Sequence, residues 1–456
     1  MSLVRSSEEI KNFQVIRKLG EYESFYDYEV INGNLYLTRA MLVNLKKSEI
    51  DLNLLKKACS YWCKRNPLLQ AQIFRGDANK YDRNFVKFSD EEKFYKFDNV
   101  ELITTNDPQK WKEIMDREVI FPFDLNTDPL WRLKVLKLVD NPETEFNYVL
   151  ILTSQHTFGD GRNLFTLIVQ LLNILSALIE EKTCPEMLSI KLSEQTAEEM
   201  IKSKNFIFGE DNGENQFDKI SRRPLCFGDK INGQHGKMEY FTIPNETLKK
   251  LISKMKENNR KAKLTGVITG LVALSQKNLQ EKYNCKVDSN RVQFLCLTSV
   301  REKLGIDNSY NGVFSSALDQ CIDFDLNLDN FWEFSEKQTI GLHEMIKKNL
   351  DIKHFDYTHE YFETMLNETY DESNLNAIIS NIGIMNNTES DVIKVIEHYI
   401  RMPVIYGRIG STIFNAITTI NGRLCWAISF NEKYFTQKII KELISEINTL
   451  ICKLIL

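Results

Sequence analysis

The sequence predicts an α/β (α+β) protein built as two domains. Three observations lead there. Tracts rich in β-formers alternate with tracts of helical periodicity in both halves, the rhythm of mixed sheets covered by helices. The chain has 456 residues, too many for one small core and suited to two domains of about 200 residues each. From about Lys191 to Gly236 apolar anchors thin out, and Gly209, Gly213, Gly228, Gly233 and Gly236 punctuate a polar, charged tract. That composition reads as a connection. The expected boundaries are 1–190, 191–236 and 237–456.

Taken in order, Arg17-Lys18-Leu19-Gly20-Glu21 leads into a strand-like tract from Leu35 to Val43. Asp51 can cap a helix whose Leu55, Ala58, Cys59 and Trp62 share one face. Pro67 stops that helix, and Gln70 to Phe74 reads as a strand. A proline-punctuated bend, Phe121 to Arg132, precedes strand-like runs Trp131 to Leu138 and Tyr148 to Thr153. The stretch Leu164 to Glu180 is helical and apolar but for a thin stripe of Gln170, Asn173 and Glu180, so it should be buried.

In the second half, Met238 to Ile243 resembles a strand, and Asn245 can cap a helix over Glu246 to about Asn258. Thr265 is placed to cap another, reaching about Tyr283, in which Gly266 and Gly270 suit close helix packing. Arg291 to Ser299 is a strand ending at Val300-Arg301, and Phe331 to Lys348 reads as a helix. The acidic stretch Asp351 to Glu372 suits a solvated helix or loop. A short strand, Ala377 to Ser380, ends in a turn at Asn381-Ile382-Gly383. Asn421-Gly422 predicts a hairpin between Ile413–Ile420 and Leu424–Phe430. The last helix, Phe435 to Leu454, places eight large apolar residues on one face.

Composition narrows the function. A net charge of -5 gives no basic footprint for nucleic acid. The start is polar and acidic with no apolar signal segment, and no apolar run looks long enough to span a membrane; the longest candidate, Leu164 to Ile179, is interrupted by Gln170, Asn173 and Ser176. A cytoplasmic location is expected. Nine cysteines without a framework read as reduced thiols. No phosphate loop, dinucleotide fingerprint or serine nucleophile elbow occurs. His343-Glu344 and His359-Glu360 begin like zinc-protease motifs but lack the second histidine, so no metal is expected.

What remains is Val149 to Asn163. An apolar, β-branched run ends in Gln155-His156-Thr157-Phe158-Gly159-Asp160-Gly161, which contains the chain's only Asp-Gly dipeptide. His156 sits where a strand gives way to a loop, beside glycines that admit another molecule close to the backbone. That is a good place to hold a base. By spacing alone, a core histidine beside a plain Asp-Gly turn explains the pattern equally well.

His156-Thr157-Phe158-Gly159-Asp160-Gly161 resembles the H-x-x-x-D-G motif of the superfamily of chloramphenicol acetyltransferase, carnitine and plant acyltransferases and peptide-synthetase condensation domains. Further stretches resemble it in register. Arg17-Lys18-Leu19-Gly20-Glu21 with Phe25 resembles the opening "R-x-L-G-x-x-E" of its alcohol acetyltransferase branch. Lys64-Arg65-Asn66-Pro67-Leu68-Leu69 resembles "R-H-P-x-L". Phe121 to Leu125 with Pro129 to Arg132 resembles "P-F-D-L…P-L-x-R". Ser299-Val300-Arg301 stands where the family has an arginine, and Ser380-Asn381-Ile382-Gly383 resembles its "S-N-x-G". Two departures favour the alcohol acetyltransferase branch: Gln155 replaces the second histidine of condensation domains, and the plant branch's D-F-G-W-G is absent.

The resemblance implies two chloramphenicol acetyltransferase-like domains with a channel between them. It implies transfer of an acyl group from acyl-CoA, or another pantetheine thioester, to an alcohol or amine. His156 would be the general base, with no acyl-enzyme. Asp160 would pair with Arg301 as a structural element, Gly161 would leave room for substrate, and Ser380 and Asn381 would be candidate substrate or oxyanion contacts. No bound cofactor is expected, and a monomer is. Two alternatives stay open: a free-standing condensation enzyme fed by a carrier protein, and a catalytically silent relative that binds a ligand.

Overall fold

A computed structural model describes residues 4–6, 8–31, 36–46, 49–77, 82–88, 90–140, 142–183, 191–209, 236–258, 261–285, 291–323, 325–353, 355, 376–386, 388, 390–403, 413–432 and 434–456. In chain order the elements begin β1 (Val15–Lys18), α1 (Glu21–Ile31), β2 (Tyr36–Leu45), α2 (Leu52–Arg65), β3 (Ala71–Arg75), β4 (Arg83–Lys87) and α3 (Glu91–Phe94). They continue β5 (Val100–Thr105), α4 (Lys110–Glu118), β6 (Trp131–Leu138), β7 (Tyr148–Gln155), α5 (Gly161–Ile179), β8 (Lys191–Leu192) and α6 (Ala197–Lys204). Then come β9 (Lys237–Ile243), α7 (Asn245–Asn258), α8 (Leu264–Lys282), β10 (Arg291–Ser299), α9 (Arg301–Leu304), β11 (Tyr310–Asn311) and β12 (Ser315–Asp323). Last are α10 (Phe331–Lys347), β13 (Ala377–Ile384), β14 (Ile393–Arg401), β15 (Ile413–Ile420), β16 (Arg423–Phe430) and α11 (Gln437–Ile455).

The chain folds as two compact α/β units, each a mixed sheet with helices packed on it. The units are not the contiguous segments 1–190 and 237–456. The first gathers Met1–Asn205, Ser299–Ser315 and Asn386–Met402; the second takes Phe206–Thr298, Ser316–Met385 and Pro403–Leu456. Long-range pairing causes the difference. β14 runs antiparallel to β2 from Ile393↔Leu45 to Arg401↔Thr38, and β11 pairs with β8. Composition cannot show such returns, because they depend on partners more than a hundred residues away. Of the tract expected as a connection, 191–205 supplies β8 and α6 to the first unit, with Met200 and Ile201 buried; 206–209 fall in the second unit, and residues 210–235 lie outside the described residues.

In the first unit the five-stranded sheet has order β14-β2-β7-β6-β5, and a three-stranded sheet has order β1-β4-β3. β7 is buried along its whole length, which is why it reads as an unbroken apolar run. Asp51 caps α2 by accepting from Leu54 N at 2.7 Å, and Leu55, Ala58, Cys59 and Trp62 are fully buried. The side-chain amide of Asn66 ends α2 by donating to Trp62 O and reaches Gln170 of α5 at 3.2 Å. Arg132 holds the proline bend through the carbonyls of Phe121 and Pro122. α5 meets the length and hydropathy of a membrane span after all, since its polar residues are few and scattered; 72% of its most apolar window is buried within the unit.

Helix α1 was not foreseen. Periodicity fails there because Tyr22, Glu23, Phe25, Tyr26, Asp27, Glu29 and Val30 are all buried, leaving no polar face. Two of its carboxylates are held by arginines of the small sheet. Glu23 accepts from both terminal nitrogens of Arg17 at 2.9 and 2.7 Å, and Asp27 pairs with Arg75 at 2.6 Å and Arg83 at 3.0 Å. Glu198 of α6 accepts from Tyr22 N at 2.6 Å, and a Cβ on Gly20 would stand 2.4 Å from the same carboxylate.

The second unit packs apolar surface. Its six-stranded sheet has order β12-β10-β13-β15-β16-β9. Gly266 lets α8 approach α10 closely: a Cβ there would lie 2.3 Å from Ser335 O. That helix starts two residues earlier than expected, capped at Lys263 with no side-chain hydrogen bond, so Thr265 is not its cap. Asn421 (φ 52°) and Gly422 (φ 74°) form the hairpin turn, both left-handed as a type I′ turn requires. Thr436 caps α11, whose Ile439, Ile440, Leu443, Ile447, Leu450, Ile451 and Leu454 are buried.

Candidate active site

His156 opens a 3-10 turn, His156–Phe158, at the end of β7, and is 6% exposed. Burial chiefly lowers its pKa, to about 4, with the positive charge of Arg39 adding to that; its own backbone carbonyl and Asp160 pull the other way. The imidazole is therefore neutral at neutral pH, the form a base needs. Its Nδ1 is buried, with no hydrogen-bond partner among the described residues other than its own backbone carbonyl. One ring face stacks on Tyr26 of α1, with centroids 4.3 Å apart and planes 19° apart.

Asp160 is the N-cap of α5. Its Oδ1 accepts from Arg162 N and Asn163 N, both at 3.1 Å. Its Oδ2 accepts from Arg301 Nη2 at 2.7 Å, Arg301 Nε at 3.2 Å and Phe314 N at 3.2 Å. Burial works against the charge, yet Arg301 and the backbone N–H groups hold the carboxyl below the usual carboxylate range. Arg301 also donates to the carbonyls of Asp307, Tyr310 and Gly312 and lies 4.6 Å over the Phe314 ring. Both oxygens of Asp160 are thus spent on backbone and arginine. Chemically it braces the turn.

Gly161, the first residue of α5, is half-exposed, and its carbonyl accepts from Arg39 Nη1 at 3.1 Å. At Gly159 a Cβ would stand 2.5 Å from Asn163 Oδ1. Gly159 bridges to Gly312, and the Asn163 amide donates to Asn311 Oδ1 nearby. Ser380 and Asn381 belong to the second unit. They do not form a turn: β13 runs on to Ile384 beside β15, with a bulge between Asn381 and Gly383, where φ is 91°. Asn381 donates to Thr265 Oγ1 and accepts from Gly383 N, both at 3.1 Å.

Sequence reading missed Tyr26, Arg39 and Glu23. Glu23 had a signal, standing three residues after Gly20 where the N-terminal motif has its glutamate. Arg39 had none; it is fully buried mid-strand, Nε and Nη2 have no partner among the described residues, and burial pushes its pKa down to about 9. Among the described residues no cluster of His, Cys, Asp and Glu could hold a metal.

Solved structures share this fold across nearly the whole chain. Trichothecene 15-O-acetyltransferase TRI3 from Fusarium sporotrichioides matches with TM-score 0.70 and 11% identity, over 96% of this chain and 95% of that one. The first condensation domain of the calcium-dependent antibiotic synthetase matches with TM-score 0.66 and 11% identity, over 97% of each chain. The starter condensation domain of rhizomide synthetase RzmA in complex with C8-CoA matches with TM-score 0.62 and 12% identity, over 98% and 96%. At such identities the likeness speaks to fold alone. Comparison with curated proteins gave no match. The alcohol acetyltransferase family model matches residues 106–400, more than half of the chain and including the whole turn from His156 to Gly161. The chain belongs to the alcohol acetyltransferase family.

Proposed function

We propose that this protein moves an acyl group from acyl-CoA to an alcohol or amine acceptor, with His156 as general base. The observation that carries the reading is the state of His156: a buried, neutral imidazole beside an aspartate whose oxygens are already taken. The acceptor gives its O–H or N–H proton to the imidazole while its lone pair attacks the thioester carbonyl. The tetrahedral oxyanion then collapses, the C–S bond breaks, and the imidazolium gives its proton to the departing sulfur, which leaves as free thiol and restores neutral His156. No enzyme nucleophile is consumed, so the buried Cys59, Cys63 and Cys296, whose thiols burial pushes up, need no role. Ser380 and Asn381 remain the proposed contacts for the oxyanion or substrate, although the Asn381 amide is already engaged.

The fold shared with a condensation domain crystallised with C8-CoA supports a CoA thioester as donor. The same neighbours favour one second reading, a donor on a carrier protein's pantetheine arm. Purified protein is mixed with acyl-CoA donors and pooled alcohols and amines, and free thiol is followed. Thiol release that falls about 10²- to 10⁴-fold in His156→Ala is the expected result. Release only from a loaded carrier would favour the second reading. Silence with both would leave a ligand-binding relative.

A further inference from the structure

A catalytic histidine must be oriented as well as neutral. The χ2 torsion of an imidazole is broad, and in hydrolase triads a third group, usually a carboxylate on the far nitrogen, fixes the ring. That device is missing at His156. Asp160, the carboxylate in the motif, has Oδ1 spent on the N-terminus of α5 and Oδ2 on Arg301 and Phe314 N. Among the described residues no side chain hydrogen-bonds the Nδ1 atom of His156; only its own backbone carbonyl acts on the ring.

What does touch the ring is Tyr26, at 4.3 Å and nearly parallel. Tyr26 is itself held. It is 9% exposed, its hydroxyl lies 3.1 Å from that of Tyr22, and the Tyr22 ring meets it edge-on at 4.9 Å. Ser315 also hydrogen-bonds its hydroxyl, so the phenol points its polar end away from the stacked face. Helix α1 cannot slide, because Glu23 is clamped by Arg17 and Asp27 by Arg75 and Arg83. The Tyr22 amide is held by Glu198.

We propose that Tyr26 is the positioning residue of His156: its stacked ring fixes the plane in which the imidazole meets the acceptor's proton. The proposal rests on the acyltransferase reading and deepens it. It also gives the N-terminal motif a purpose. Arg17, Gly20 and Glu23 set the entry of α1, and α1 delivers Tyr26 to the base. A ring acts here and a hydroxyl does not, so phenylalanine should replace tyrosine.

The test uses full-length Tyr26→Phe and Tyr26→Leu with the donor and acceptor found by thiol release. Tyr26→Leu should lose kcat roughly 10- to 100-fold with KM within about threefold, while Tyr26→Phe stays within about threefold of the parent in both. NMR of histidine-labelled protein gives a readout independent of turnover, with the His156 ring signal identified by its loss in His156→Ala. That signal should be ring-current shifted in the parent and in Tyr26→Phe, and should relax in Tyr26→Leu. Parent-like kcat in Tyr26→Leu, or a loss in Tyr26→Phe as large as in Tyr26→Leu, overturns the proposal. Should Tyr26→Leu fail to fold, an unshifted His156 signal in the parent overturns it and a shifted one retained in Tyr26→Phe supports it. A parent that releases no thiol yet shows the shifted signal refutes the acyltransferase reading and leaves the stack intact.

Discussion

The two units are built alike, as mixed sheets covered by helices, yet they bury different things. The first buries Arg17, Glu23, Asp27, Arg39, Arg75, Arg83, Asp160 and Arg301; among the described residues the second buries one charged side chain, Asp351. Its core is a continuous apolar cluster from Ile243 to Leu454. Replacing buried ion pairs by apolar residues is often neutral or stabilising, so charge inside the first unit is poorly explained by stability. Geometry explains it better. An apolar contact tolerates sliding, whereas a bidentate arginine–carboxylate pair fixes direction. The unit that holds His156 is the one braced by such pairs.

The largest expected effect comes from breaking a brace. Asp160→Asn leaves Arg301 buried without its counter-charge and frees nothing chemical, so it should cost about 3–5 kcal/mol in denaturant unfolding, with activity lost in step. Full stability with lost activity would make Asp160 a chemical group and undo the contrast.

Acid should find the first unit before the second. His156 has a folded pKa of about 4 against about 6.5 when unfolded. Its contribution is whole above about pH 6.5; as pH falls towards 4 the unfolded chain takes up a proton that the folded chain does not. The first unit then loses up to about 1.4 kcal/mol per pH unit. Asp160, also depressed, works in the same direction at lower pH. The second unit's described histidine, His343, is exposed. Amide hydrogen exchange at pH 7 and 5 should show the first unit losing protection alone. The same histidine puts the acid limb of kcat/KM near pH 4, and a limb at 6.5 would contradict its burial.

In the second unit the sensitive features are shape and backbone. Gly266→Ala drives a Cβ against Ser335 O; overpacking of about 1–3 kcal/mol, partly offset by about 1 kcal/mol of helix propensity, should lower Tm with turnover per folded molecule unchanged. Gly422→Ala forces an L-residue to φ 74° against Asn245, for about 1 kcal/mol. Loss of turnover in either variant, with the protein folded, would tie the apolar unit to the chemistry more closely than its packing suggests.

Much of this was legible before any coordinates. The cap at Asp51, the Asn421-Gly422 hairpin, the buried α5 and the close-packing glycines of α8 are local chemistry, set by residues within a turn or two of one another. The histidine at the end of β7 was legible for the same reason, and the family resemblance followed from short motifs in order. Ser380-Asn381 was misread as a turn because a bulge and a turn share small polar residues, and only pairing with β15 tells them apart.

By itself, then, the sequence determined the alternation of strands and helices, the alcohol acetyltransferase family and His156 as the residue to watch. Tertiary structure alone decided which segments join which unit, that Gly159 sits under close approach, and what surrounds His156. The physical reason is range. Propensity, capping and turn chemistry act between neighbours in sequence, but Tyr26 meets His156, and Asp160 meets Arg301, only because separate parts of the chain are packed together.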